Sequence, residues 1–275
     1  MKFDEDLAVV HAYLCADGYV IKNPRTQKHK YYHIGLRNTN DVLLKDFQEK
    51  FNKVFGIKPV IAHERCIAHS REIFEKLTKN YSYYSYEWQM PKLNKKQLRL
   101  WLRAFFDCEG WVELQEGKNR AIRVDCVNLK GIKSVKIALN RLGIDSAIKK
   151  GKRPIYRLNI CGLDDIARFK EIVGFLHPDK KSLLDRAINS YKTYEWNVPK
   201  EKKALVKFIK TKGKMRESRN EIRLLSIKKE NLEQVIFNLL EYDIRTRILG
   251  PWKASSGSVY YCLILKVDDV RKLEE

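Results

Sequence analysis

Apolar residues along this chain change their period several times, and each change marks an element. From Asp41 to Phe55, Leu43, Leu44, Phe47, Phe51 and Val54 recur three and four apart, which predicts an amphipathic helix. Around it the period shortens. Tyr31 to Leu36, Ile57 to His63 and Cys66 to His69 predict strands, and Arg71 to Leu77 predicts a short helix. The longest apolar run, Val259 to Leu265, has strand length and falls well short of the roughly 18 residues of a membrane span.

The rhythm recurs because the sequence does. Residues 83–92 read YYSYEWQMPK and residues 191–200 read YKTYEWNVPK, a shared Y-x-x-Y-E-W-x-x-P-K frame that fits the connection between modules. Beyond each copy the apolar positions align at a constant offset. Val135 meets Val235, Leu139 meets Leu239, Ile144 meets Ile244 and Ile148 meets Ile248. After a four-residue insertion Leu163-Asp164-Asp165-Ile166 meets Val267-Asp268-Asp269-Val270. The chain therefore reads as three related α+β modules, at residues 1–90, 91–198 and 199–275. Between Pro91 and Ile122 lie 30 residues, but between Pro199 and Ile222 only 22. The third module is accordingly expected to lack a full opening helix and first strand, and to form a smaller sheet.

The helices opening the first two modules end alike. Residues 7–18 are LAVVHAYLCADG and residues 99–110 are RLWLRAFFDCEG. Both close on small-acid-glycine: Ala16-Asp17-Gly18 and Cys108-Glu109-Gly110. Ala12 and Ala104, four residues earlier, add a flat strip along which two such helices can approach closely. The glycines suit a turn with positive φ at a helix C-terminus. An acid in the last helical turn adds to the negative end of the macrodipole, and two such ends side by side repel. A divalent cation removes both problems, and hard carboxylates completed by phosphate oxygens and water suit Mg²⁺.

On these residues the chain resembles the LAGLIDADG homing endonucleases of the monomeric, two-motif type. Val10 to Gly18 matches the motif loosely and Leu102 to Gly110 more closely. Ile172-Val173-Gly174-Phe175-Leu176-His177-Pro178-Asp179-Lys180 is similar to the I-G-F-x-H-P-x-K stretch closing many such modules. The resemblance covers roughly residues 5–195. His11 and Arg103 stand at a usual alanine and Cys15 at a usual acid, which bears on helix packing more than on chemistry. The resemblance implies a pseudo-twofold pair of αββαββα modules, with saddle-like antiparallel sheets along the DNA major groove. It implies that Asp17 and Glu109 hold Mg²⁺, with Mn²⁺ able to substitute, over the minor groove and cut both strands. Arg37 falls where the family often places a polar residue near the metals, and Lys118 is a candidate charge stabiliser.

Charge agrees with a polyanionic partner. Lys and Arg number 55 against 34 Asp and Glu, a net +21. An apolar content of 44% supports packed cores and excludes a disordered chain. The six cysteines form no C-x-x-C pair and no disulfide framework, and the start Met-Lys-Phe-Asp-Glu-Asp has no secretory pattern. A reduced, intracellular protein is expected, not a secreted one, in the cytoplasm of a prokaryote or in an organelle. Polar residues in and around the strands are candidates for bases and phosphates: Asn23, Arg25, Gln27, Lys28, Lys30, Tyr32 and His33, then Arg65, then Gln115, Asn119, Arg120 and Arg123, then Lys149, Lys150, Lys152, Arg153 and Arg157. The six histidines show no metal-ligand spacing. Tyr81, Tyr83, Tyr84, Tyr86 and Trp88 suit core packing at a module junction better than stacking on bases.

Carried forward from Lys95-Lys96 onto Lys202-Lys203, the alignment sets Lys214-Met215-Arg216-Glu217 opposite Asp107-Cys108-Glu109-Gly110, so no third metal site is expected. Residues 200–229 hold twelve Lys/Arg and three Asp/Glu, while 230–275 hold six and eight. The leading reading is a site-specific double-strand DNA endonuclease, acting as a monomer. An RNA-binding maturase acting on its own intron, or a regulator of the same fold that no longer cleaves, are the alternatives. Retained Asp17 and Glu109 argue against the last, because binding alone does not need them.

Overall fold

The structure is a computed structural model that describes residues 2–24, 26–28, 31–115, 119–151, 154–191, 195–253 and 259–274. It divides into two compact units, Met1–Tyr191 and Lys192–Glu275.

The first unit contains two copies of one α-β-β-α-β-β-α plan. The first copy comprises α1 (Glu5–Cys15), β1 (Gly18–Lys22), β2 (Tyr32–Arg37), α2 (Asp41–Phe55), β3 (Val60–Ala62), β4 (Arg65–His69) and α3 (Arg71–Thr78). The second comprises α4 (Lys95–Glu109), β5 (Gly110–Leu114), β6 (Arg120–Cys126), α5 (Leu129–Arg141), β7 (Ala147–Lys150), β8 (Tyr156–Cys161) and α6 (Leu163–Ile172), with α7 (Pro178–Asn189) added. Each copy forms a four-stranded antiparallel sheet, ordered β1-β2-β4-β3 and β5-β6-β8-β7.

Local chemistry sets the boundaries. Asn40 caps α2 by accepting from Val42 N at 3.0 Å, and Gly56 ends it at φ +68°. Asn94 and Gln97 form a reciprocal capping box on α4. Alternation in the strands puts Val20, Ile34, Leu36, Cys66 and Ala68 on the helix side of the first sheet, all buried. Both copies share one apolar core, in which α1 and α4 pack together with Ala12 and Ala104 buried between them. Trp88 of the repeated frame is buried against Gly131 of α5, and Asn128 Nδ2 donates to its carbonyl at 2.7 Å. Tyr83 is buried too, whereas Tyr84 and Tyr86 are exposed and stack on each other.

The second unit comprises α8 (Lys202–Lys212), β9 (Lys214–Arg216), β10 (Glu221–Ser226), α9 (Lys229–Leu240), β11 (Ile248–Lys253), β12 (Val259–Lys266) and α10 (Val267–Lys272). Its sheet order, β9-β10-β12-β11, repeats that of the other two. Its own core contains Val235, Leu239 and Ile244, the counterparts of buried Val135, Leu139 and Ile144. The opening helix and first strand, expected to be less than full, are both present and both shorter than their counterparts in the second copy. An eleven-residue helix is present, and a three-residue β9 pairs with β10. The shortening falls mostly on the helix, eleven residues in α8 against fifteen in α4, and then on the strand, three in β9 against five in β5.

Candidate active site

The two acidic helix ends lie side by side. Asp17 follows Ala16, the C-cap of α1, and Glu109 is the last residue of α4. Gly18 and Gly110 start strands that fold straight back on those helices. Gly110 has φ −84° and ψ 151°, so the expected positive φ is not what requires glycine. Close approach is: a Cβ on Gly110 would sit 2.6 Å from Phe106 O, and one on Gly18 2.7 Å from Tyr13 O.

Burial and the Asp17 charge, in that order, push Glu109 up to about 7, with Lys180 opposing. The Cys108 thiol hydrogen-bonds Asp17 and is pushed well up by burial. Asp17 Oδ2 accepts from Asn38 Nδ2 at 2.9 Å, which fixes the orientation of this carboxylate. Among the described residues no group of three or more His, Cys, Asp or Glu could hold a metal. Asp17 and Glu109 offer two hard carboxylates, a pair that would suit Mg²⁺ keeping water and phosphate as its other ligands.

Lys180 completes the site from α7. Its Nζ donates to the α4 carbonyls of Asp107 at 2.5 Å and Cys108 at 3.2 Å, neutralising the negative helix end. Burial lowers its pKa, while the charges of Asp107, Asp17 and Glu109 raise it. The Asp107 carboxylate accepts from the backbone N–H groups of Leu176 and His177, both at 2.9 Å, and burial pushes it up to about 6. Asn40 joins this loop to the Asp17 side: its N–H donates to Asn38 Oδ1 at 2.9 Å, and its side chain lies 3.3 Å from His177 Nε2. Neither Asn38 nor Lys180 stands out in the sequence as a site residue. Only the place of Lys180 in the H-P-x-K stretch signals it.

The first motif departs from the second inside the helix pair. His11 is fully buried, and Trp101 Nε1 of the facing helix donates to its Nδ1 at 3.2 Å. Burial holds His11 down at about 3, so it is neutral and able to accept. Cys15, opposite Asp107 in the motif, is buried with its Sγ 3.5 Å from His11 Nδ1.

The sheets sort the polar candidates by face. On the first, register and alternation place His33, Arg37 and Arg65 together on the side away from the helices. Arg37 lies directly opposite Arg65, and His33 opposite His69 with ring centroids 4.8 Å apart. Neither arginine has an ion-pair partner among the described residues. Like charges directly opposite cost stability in the free protein and favour an anion between them. Tyr19 shares this face above Gly35, where a Cβ would come 2.7 Å from its hydroxyl. Tyr32 is on the helix side, edge-on to Phe74, and is not brought to this surface.

On the second sheet Arg123 and Arg157 share the solvent side but are internally neutralised. Arg123 pairs with Glu113, and Arg157 makes a bidentate pair with Asp125 at 2.7 and 2.6 Å beneath the Trp111 ring. Arg120 points the other way. It donates to Ser190 Oγ and O, both at 2.7 Å, and stacks over Tyr191, which ties down the α7 end. Lys149 is exposed opposite Arg157, while Lys150 falls on the alternate side. Asn23, Gln27, Lys28, Gln115 and Asn119 lie in the turns after β1 and β5, with Asn23 Nδ2 donating to Gln27 Oε1. Arg25, Lys30, Lys118, Lys152 and Arg153 lie outside the described residues.

Residues 96–174, which span α4 to the end of α6, match the family model described as a LAGLIDADG-like domain. The second copy of the plan therefore carries a LAGLIDADG-like domain. No curated protein matches it. Among solved structures, the chain is similar to mesophilic variants of the homing endonuclease I-DmoI, at 17% identity and TM-score 0.49, over 66% of this chain and 100% of that one. The homing endonuclease I-WcaI bound to its DNA recognition sequence matches at 14% and 0.46, over 67% and 88%. Full-length DUF199/WhiA from Thermatoga maritima matches at 15% and 0.47, over 77% and 68%. No helix among the described residues is long and apolar enough to cross a membrane.

In the second unit the structure corrects the position of the third helix end. Gly213 follows α8 with φ −83° and ψ 152°, almost the Gly110 geometry, and its Cβ would lie 2.6 Å from Ile209 O as that of Gly110 does from Phe106 O. The counterpart of Cys108-Glu109-Gly110 is therefore Thr211-Lys212-Gly213, four residues before the expected Lys214 to Glu217. The glycine is kept, lysine replaces the acid, and Lys207 replaces the small Ala104. A run dominated by lysine carries too little pattern to fix this register. The helix-to-strand turn fixes it.

Proposed function

We propose that the chain is a metal-dependent DNA endonuclease that binds a long duplex target and hydrolyses both strands across the minor groove. The observation that carries this reading is the paired Asp17 and Glu109 carboxylates, with Glu109 pushed up to about 7 by burial and by its neighbour. Binding alone gives no reason to keep two repelling acids side by side. Mg²⁺, with Mn²⁺ as substitute, supplies Lewis-acid activation of an attacking water and neutralises the leaving oxygen.

The remaining residues prepare that chemistry. Asn38 holds Asp17 in one orientation. Lys180 offsets the α4 dipole and lowers the cost of the Glu109 charge beside it. Arg37 and Arg65 stand opposite each other on the first sheet, a placement that suits phosphate positioning. The molecule acts as a monomer in this reading, since both acids belong to one chain.

The test is cleavage of a randomised duplex library with Mg²⁺, with the product ends sequenced, for the wild type, Asp17→Asn and Glu109→Gln. Defined ends for the wild type and none for either variant are expected, with duplex binding retained in gel shifts. Full cleavage by both variants defeats the assignment. Selective binding of intron RNA with no cleavage by the wild type favours the maturase alternative.

A further inference from the structure

The second unit keeps the helix-glycine-strand turn of the acidic motifs but places cations there. We propose that this helix end and the edge strand after it grip the phosphate backbone of duplex DNA, beyond the phosphates that the first unit contacts. The inference rests on the duplex-cleavage reading.

Three observations carry it. First, Lys212 occupies the place that Glu109 holds in α4, and Lys207 the place of Ala104. A site that elsewhere meets phosphate through a cation here supplies the positive charge from the side chain. The helix dipole alone explains a lysine at position 212. It does not explain the next three cations, Lys214, Arg216 and Arg219, which lie beyond the helix and are exposed.

Second, Lys214 and Arg216 alternate onto one side of β9, where register sets Lys214 opposite Arg223 and Arg216 opposite Glu221 on β10, and Glu221 pairs with Arg223. One carboxylate among three cations leaves this face with excess positive charge, which an anion offsets. Third, Lys212, Lys214, Arg216 and Arg219 form no ion pair among the described residues, although acids of the same unit engage Lys210 and Arg223. A strand whose residues are all exposed at a sheet edge also leaves its outer side open to a rod-like ligand. A second copy of this face is no alternative occupant, because it would set lysine against lysine.

The experiment compares the full chain with the variant carrying Lys212→Gln, Lys214→Gln, Arg216→Gln and Arg219→Gln. A control of equal net charge carries Lys45→Gln, Lys130→Gln, Lys133→Gln and Lys136→Gln on α2 and α5. Fluorescence anisotropy gives the salt dependence of binding to a short duplex holding only the cleavage site and to one extended on both sides. For the extended duplex the first variant should flatten the slope of log K against log salt by about 2–4, at about 0.9 for each phosphate that is no longer neutralised. The control and the short duplex should show little change, and the arginine-for-lysine, lysine-for-arginine variant should restore the slope. Equal losses for variant and control, or for short and extended duplex, overturn the proposal. So does a loss confined to single-stranded RNA. If the wild type cleaves nothing but the slope still flattens on extended duplex, the nuclease reading fails and this one stands.

Discussion

Asn38 Nδ2 donates to Asp17 Oδ2 at 2.9 Å, across 21 residues of sequence that contain a complete hairpin. The bond leaves Oδ1 free of Asn38 and sets which oxygen of the acid can meet a cation. Removing it should loosen the carboxylate without removing its charge. Asn38→Ala is expected to lower single-turnover cleavage by about 10–100-fold, the usual cost of losing a partner that orients a metal ligand. Duplex affinity measured in Ca²⁺ should stay within a few-fold. A cleavage rate equal to wild type would show that Asp17 needs no orientation.

Glu109 makes stability depend on pH in a definite sense. Its folded pKa, about 7, lies above the ordinary 4.5, so folding favours the protonated form. The group therefore contributes most stability below about 4.5, and loses it as pH rises through about 7. Relative to wild type, Glu109→Gln should stabilise the metal-free protein at pH 8 by on the order of 2–3 kcal/mol, with the difference fading towards pH 4.5. Mg²⁺ at pH 8 should stabilise wild type and leave the variant unmoved. Paired denaturant titrations across this range check both signs, and a pH-independent difference would contradict the charge argument.

His11 and Trp101 tie α1 to α4 through one neutral hydrogen bond. His11→Leu keeps the volume roughly constant but leaves Trp101 Nε1 buried without a partner. A loss of about 1–3 kcal/mol is expected, visible as a lower denaturation midpoint. With His11 already neutral near pH 7, the loss should be the same from pH 6 to pH 8. A loss that grows on acidification would show that the ring is charged.

Arg37 and Arg65 face each other with no ion-pair partner among the described residues, so their substitution should separate binding from folding. The Arg37→Gln, Arg65→Gln variant should bind duplex more weakly and with a salt slope flatter by up to about 2. Its thermal stability at low salt should be equal or higher, because a repulsion is removed. The Arg123→Gln variant should behave differently, since it breaks the pair with Glu113 and leaves that acid half-buried. Thermal melts of both variants at about 20 mM and about 200 mM salt distinguish the two outcomes.

Much of this protein is written locally. The 3.6-residue period of α2, the alternation of β2 and β4, and the small-acid-glycine ends of the first two motif helices depend on neighbours a few residues away, so the sequence alone places them. The recurrence of Val135, Leu139 and Ile144 at 235, 239 and 244 likewise announced a repeated core, because the same apolar spacing buries in the same way. Tertiary structure decided what meets what. Lys180 reaches the end of α4 from 73 residues away by its bond to the Asp107 carbonyl, and no local period encodes that meeting. Alternation says that Arg120 and Arg123 point to opposite sides of β6, but only packing says which side meets α7 and which meets solvent. The end of α8 shows the same division. Lysine is tolerated at any exposed helical position, so the sequence leaves its register open, whereas the close approach of strand to helix admits only glycine and fixes it at Gly213.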